Sequence, residues 1–163
     1  MNERVYFQPV SLVRAKVDAL FARVEGHLRS LLPAAHIEHV GSTALPDGLT
    51  KGDLDVQVRL DGEDYDAACR LLSALFQDNP GGFTEEGRSF KDDSTDPPLG
   101  IHVTIIDGPS DIQFRQRDLL RARADLRAEY DALKTKFDGG DMDEYRRAKE
   151  AFFSGPWFTA MQL

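Results

Sequence analysis

Eight consecutive residues, Asp53 to Leu60, alternate without a fault: Leu54, Val56, Val58 and Leu60 fall on one side, Asp53, Asp55, Gln57 and Arg59 on the other. Such period-two patterning belongs to a β-strand with one apolar and one polar face, because successive side chains on a pleated backbone point to opposite sides. The chain must therefore build a sheet and cover the apolar side of this strand. Helical patterns flank it in sequence. Upstream, Val13, Val17, Leu20, Val24, Leu28 and Leu31 form one stripe, with Ser11 placed to cap the helix and Pro33 to stop it. Downstream, Asp64 to Phe76 carries Cys69, Leu72 and Phe76 at helical spacing. Cys69 is the single cysteine, so no disulfide forms within the chain, and it reads as a small buried hydrophobe.

Residues Ala35 to Val40 and Ile101 to Ile106 add two apolar strands, and Gly82 to Phe90 is a third candidate after a glycine turn at Gly81-Gly82. From Ser110 onward the pattern turns helical. Ser110 and Gln113 have the spacing of a capping box, Leu126, Tyr130, Leu133 and Phe137 make a second stripe, and Asp141 with Glu144 caps a third helix ending at Gly155-Pro156. Tyr130 and Tyr145 read as packing residues, with a hydroxyl reaching the pocket as the alternative, and Trp157 as a seal on the core or on a dimer contact. The expected fold is α+β (mixed α/β), a small mixed sheet packed by helices. At 163 residues and 41% hydrophobic it reads as a single domain over 1–163, with a sheet-containing core over 1–108 and a helical C-terminal part over 109–163.

No apolar run approaches the roughly 20 residues of a membrane helix. Met1 to Pro9 lacks the basic and apolar blocks of a signal peptide, and a cytoplasmic location is the expectation. A net charge of −8 opposes bulk, non-specific binding to nucleic acid. A phosphorylated small molecule such as an NTP, escorted by a cation, suits it better, and a protein partner is also compatible.

The polar face of the alternating strand carries the chemistry. Carboxylates two residues apart on a strand share a face at roughly 6.5 Å spacing, so Asp53 and Asp55 can converge on divalent cations, and Mg²⁺ suits such oxygen ligands. Upstream, Gly41-Ser42-Thr43 follows an apolar strand, where backbone N–H groups and the Ser42 hydroxyl can receive phosphate. His102 shares a strand face with Thr104 and is a candidate metal ligand or phosphate contact, or a hydrogen-bonded structural histidine. His36 and His39 would point to opposite faces of their strand, which argues against a zinc site.

The run Glu38-His39-Val40-Gly41-Ser42-Thr43-Ala44-Leu45-Pro46 to Lys51, then Asp55, resembles the GrpB family. The resemblance continues at His102-Val103, Arg117-Asp118, Leu120-Arg121, Glu129-Tyr130, Leu133-Lys134, and Tyr145 with Lys149, and so covers most of the chain. It implies a polymerase-β-type nucleotidyltransferase fold. A triphosphate site is expected to take Gly41, Ser42, Thr43, Lys51, Arg117, Arg121, Lys134 and Lys149 as phosphate-binding residues, and the Gly-Ser then Asp-x-Asp signature, which resembles that of active nucleotidyltransferases, gives Asp53 and Asp55 as catalytic residues and metal ligands. The chain departs from the family pattern at Asp53, where an apolar residue is usual, and at Gly52, where a proline is usual. Such enzymes carry a third carboxylate on a neighbouring strand, and the strand 101–106 offers His102 and Thr104 instead.

Three readings of function follow. The first is Mg²⁺-dependent transfer of a nucleoside monophosphate from an NTP to an acceptor. The second is a non-catalytic module that binds a nucleotide or phosphate. The third is a partner-binding, antitoxin-like protein. A carboxylate within reach of both Asp53 and Asp55 would favour the first; His102 alone beside them would favour the second.

Overall fold

The structure, a computed structural model, describes residues 2–80 and 87–161. It is a mixed α+β fold. A short strand β1 (Gln8–Pro9) leads into α1 (Val10–Leu31) and β2 (His36–Val40), followed by a one-turn 3₁₀ segment, Ser42–Ala44. Then come β3 (Leu49–Thr50), β4 (Leu54–Leu60), α2 (Gly62–Leu75), β5 (Gln77–Asp78), β6 (Arg88–Asp92) and β7 (Leu99–Ile105). Four helices close the chain: α3 (Gln113–Ala122), α4 (Ala124–Phe137), α5 (Met142–Phe153) and α6 (Pro156–Met161).

Five strands form the main sheet in the order β2-β4-β7-β6-β5, with β4 and β7 parallel and the other neighbours antiparallel. β1 and β3 pair separately. The alternation of β4 is realised as expected: Leu54, Val56, Val58 and Leu60 are buried against α1 and α2, together with Ile101 and Val103 of β7 and Phe90 of β6. Val17, Leu20 and Leu28 of α1 and Ala68, Cys69 and Leu72 of α2 supply the opposing apolar surface. Two smaller clusters hold the helices together, one around Leu45, Leu120, Leu126, Tyr130 and Phe158, the other around Val5, Met142 and Tyr145. Among the described residues no helix is long and apolar enough to cross a membrane.

The second face of β4 is polar yet covered. Gln57 is fully buried; its Nε2 donates to Thr104 Oγ1 (3.0 Å) and Asp111 Oδ1 (3.1 Å), and its Oε1 accepts from the Phe114 backbone N–H (3.0 Å). Arg59 forms a two-point pair with Asp111 (2.6 and 2.8 Å) and stacks on Phe114, 3.7 Å from the ring centroid. Burial opposes ionisation of Asp111, but the bonds from Arg59, Asp107 N–H and Thr104 hold its carboxyl below the usual carboxylate range. This network docks α3 on the sheet.

Several sequence expectations are corrected. Ser11 does not cap α1: the helix begins at Val10, whose N–H is taken by the Gly48 carbonyl (2.8 Å), so a tertiary bond replaces the side-chain cap. Ser110 does not open a capping box either, because α3 starts at Gln113 and Gln57 accepts from its first turn. Trp157 does not seal the core. It is half exposed under the Arg123 guanidinium, and its neighbour Phe158 fills the interior. Asp141 caps α5 as expected, accepting from Asp143 and Glu144 N–H. The expected turn at Gly81-Gly82 and the first part of the strand expected over Gly82 to Phe90 lie outside the described residues; the remainder joins β6.

Asp111→Ala would leave the Arg59 side chain, 13% exposed, without its counter-charge. A loss of about 3–5 kcal/mol in urea-denaturation stability is expected. A loss below about 1 kcal/mol would show that α3 docks without this network.

Candidate active site

Strand register places Asp55. β2 pairs with β4 so that Val40 faces Asp55, which brings Gly41 alongside, and the parallel pairing of β4 with β7 sets Asp55 beside Gly100. A Cβ on Gly41 would lie 2.7 Å from Asp55 Oδ2, and one on Gly100 would lie 2.9 Å from Oδ1, so the carboxylate occupies a cradle that only two glycines leave open. Gly41 also has φ +78°, a conformation other residues rarely adopt. One step along β7, His102 leans back over Gly100 and its Nε2 reaches Asp55 Oδ1 at 3.3 Å, while Nδ1 meets Ser89 Oγ at 3.1 Å.

Asp53 precedes β4 and opens, like Asp55, on a cavity of about 850 Å³ bounded by Gly41, Ser42, Lys51, His102, Tyr145 and Lys149 among others. Lys51 Nζ stands 3.5 Å from Asp53 Oδ2. The two carboxyls are driven apart in acidity. Burial and the charge of Asp55 raise Asp53 against the pull of Lys51. Asp55 is lowered: burial opposes this, but His102, Lys149 and Lys51 keep it ionised. Lys149 is the cavity cation that, among the described residues, has no carboxylate partner within ion-pair distance.

The expected phosphate-binding residues divide into two groups. Gly41, Ser42, Lys51, Arg117 and Lys149 border the cavity. Arg117 is largely committed, bonded to Glu38 (2.7 Å), the His39 carbonyl (3.0 Å) and Asp118 (2.9 Å). Thr43, Arg121 and Lys134 do not border it. The Thr43 hydroxyl is buried, donates to the Asp53 carbonyl (3.0 Å) and meets His39 Nε2 (3.0 Å). Arg121 Nε donates to the Ala44 carbonyl (2.9 Å) and Lys134 Nζ to the Leu49 carbonyl (2.6 Å), both gripping the segment between Gly41 and Lys51 from behind. Arg14 joins them by donating to the Thr43 and Leu45 carbonyls. Burial pushes the Lys134 amine down to about 8, with Asp131 opposing. Asp131 in turn accepts from Leu49 N–H (3.0 Å).

Among the described residues, no third carboxylate joins the pair within metal-ligating distance. Among the described residues, the group of three or more His, Cys, Asp or Glu that brings its ligand atoms within 4.8 Å is Asp61, Glu63 and Asp64, exposed at the start of α2 and outside the cavity. Sequence reading overlooked Gly100, although a glycine inside an apolar strand signals close approach. Tyr130 and Tyr145, expected as packing residues with a hydroxyl at the pocket as the alternative, combine the two. Both are well buried, yet they also border the cavity, and the Ser42 and Tyr145 hydroxyls approach the Tyr130 phenol.

Comparison with known proteins was made against this geometry. The sequence profile of the GrpB protein family matches residues 10–156. The chain belongs to the GrpB family. It is 29% identical over 159 residues to a UPF0157 protein of Vibrio cholerae serotype O1, covering 93% of this chain and 81% of that protein. The crystal structure of conserved protein GrpB from Enterococcus faecalis superposes with a TM-score of 0.59 at 20% identity, over 74% of this chain and 76% of that one. The Cid1 poly(U) polymerase bound to MgGTP superposes with a TM-score of 0.52 at 16% identity over 74% of this chain. That match takes in 39% of the polymerase, so this GrpB protein shares the nucleotidyltransferase-like fold of the larger enzyme.

The site makes its own stability pH-dependent through His39, which stacks on Phe21 at 5.0 Å. Burial pushes its imidazole down from 6.5 to about 4, with Asp18 opposing. Between those values the unfolded chain takes up a proton that the folded protein refuses, so stability falls as pH drops from 6.5 to about 4 and is complete above that window. Urea titrations should show a decline on the order of 2 kcal/mol, and His39→Gln should flatten it; an unchanged slope would remove His39 as its source.

Proposed function

We propose that this protein binds a nucleoside triphosphate with Mg²⁺ in the cavity and transfers its nucleoside monophosphate to an acceptor hydroxyl or phosphate. One observation carries the reading: Asp53 and Asp55 open together on a cavity whose polar borders include the Gly41-Ser42 turn, Lys51 and Lys149. The donor set fits Mg²⁺. It consists of carboxylate oxygens, one of them set in a cradle that a Cβ on either flanking glycine would fill, and the cavity has room for the waters that Mg²⁺ retains. Asp53 and Asp55 would hold the cation, which when bound neutralises phosphate charge and aligns the oxygens of an in-line displacement.

The chain's own residues do the rest. The Ser42 hydroxyl and the Gly41 backbone receive the β- and γ-phosphates, and Arg14, Arg121 and Lys134 keep that turn in place by holding its carbonyls. Lys51 and Lys149 offset the negative charge that develops as pyrophosphate leaves. His102 fixes the Asp55 carboxylate by donating to Oδ1.

A second reading, binding of the nucleotide without transfer, is favoured by the histidine standing where a third carboxylate would be. Calorimetric titration of each NTP with and without Mg²⁺, paired with a pyrophosphate-release assay, separates the two. Mg²⁺-dependent binding that weakens by ~100-fold or more in Asp53→Ala/Asp55→Ala is expected, together with pyrophosphate release that the double variant lacks. Binding without release would leave the second reading standing. Equal binding by wild type and variant would remove the metal–triphosphate site.

A further inference from the structure

We infer that Gln113 reads the base of the bound nucleotide by accepting a hydrogen bond from a ring N–H or an exocyclic amino group; this rests on the nucleotide-binding reading above. The observation is an orphan. Among the described residues, Gln113 Oε1 is the buried side-chain polar atom without a hydrogen-bond partner. Buried amide oxygens are almost always paired, and leaving one unpaired costs more than an ordinary hydrogen bond contributes. Its surroundings sharpen the contrast, since Gln57, Thr104, Asp111 and Arg59 all find partners in the adjoining network.

Gln113 borders the same cavity as Asp53 and Asp55, and its position there is set by the backbone. The bond from Phe114 N–H to Gln57 Oε1 fastens the first turn of α3 to β4. Gln57 lies two residues beyond Asp55 on the same strand face, which places this end of the cavity ~7 Å further along the strand. A nucleoside whose α-phosphate is held by the cation at Asp55 is long enough to span that separation. Character also changes along the way. Lys51 and Lys149 stand at the carboxylate end, whereas Gln113 is joined by a second carboxamide, Gln116, one helical turn on, and by Arg117, whose charge is already met by Glu38 and Asp118. Charged groups suit a triphosphate and uncharged amides suit the edge of a base, as a carboxamide matches base edges in pairing geometry.

The test is calorimetric titration of the wild-type protein, Gln113→Leu and Gln113→Glu with Mg²⁺ and each of ATP, CTP, GTP and UTP. Wild type is expected to separate the tightest from the weakest NTP by ~10-fold or more. Gln113→Leu removes the acceptor and should level the four affinities, while Gln113→Glu retains one and should preserve their order. An inorganic triphosphate control should bind all three proteins alike, which also reports a fold disturbed by either substitution. If wild type binds NTPs and Gln113→Leu keeps the same order and spread, the base-reading role is overturned while the triphosphate site stands. If wild type binds inorganic triphosphate but no NTP more tightly, Gln113 serves another donor and the inference is equally overturned. If wild type binds none of these, the nucleotide reading itself is wrong.

Discussion

The site depends on the register of three strands. Asp55 sits in its cradle because Val40 is its partner across β2 and Gly100 its partner across β7. A slip of one residue would turn every side chain of β4 to the opposite face, sending Leu54 and Val56 to the polar side and Asp55 into the core. Register is held by the apolar face, where Leu54, Val56, Val58, Ile101 and Val103 are all fully buried. The accuracy with which a carboxylate is presented to the cavity is therefore borrowed from packing on the other side of the sheet. Gly41 and Gly100 are the complement of that packing: they leave the space that the register assigns to the Asp55 oxygens.

Positive charge is used in an unexpected way for a chain of net charge −8. Arg14, Arg121 and Lys134 donate to the carbonyls of Thr43, Ala44, Leu45 and Leu49, so cations from three helices line the rear of the segment whose front borders the cavity. They touch nothing in the cavity. They still contribute to the potential there, and with the carbonyls engaged behind, the segment keeps one conformation. Of the lysines expected at the phosphates, those that border the cavity are Lys51, already balanced by Asp53, and Lys149. A basic residue in a motif can thus serve to brace the backbone of a cavity wall rather than to face the cavity itself.

What the sequence made legible follows from the range of the forces involved. The β4 strand, the α1 and α2 stripes and the Asp141 cap are local patterns that packing reinforced. Ser11 and Ser110 were misread as caps because Gly48 and Gln57, distant in sequence, satisfied those helix starts instead. Nothing local announces such a partner. Arg121 and Lys134 were legible as important but not in role, since whether a cation faces a cavity or a carbonyl is decided by how α3 and α4 dock. Trp157 and Phe158 are adjacent apolar aromatics near the end of the chain, and only the packing of α6 selects the second for the interior.

His102 bears most directly on what the cavity can do. Nδ1 of His102 faces the Ser89 hydroxyl, and Nε2 is the nitrogen that donates to the Asp55 carboxylate. A nitrogen that donates a proton has no lone pair for a metal, so in this arrangement His102 acts as a support for Asp55 and not as a third ligand. Oδ1 of Asp55 is then partly committed, and Oδ2, nearest Gly41 and so nearest the proposed phosphate turn, is the better-placed ligand atom. Burial and the charge of Asp55 raise the pKa of Asp53, against the pull of Lys51. On the proposed reading, Asp55 fixed in the sheet and Asp53 at its margin would hold the cation, and the phosphates of the nucleotide would supply the ligands that a third acid otherwise gives.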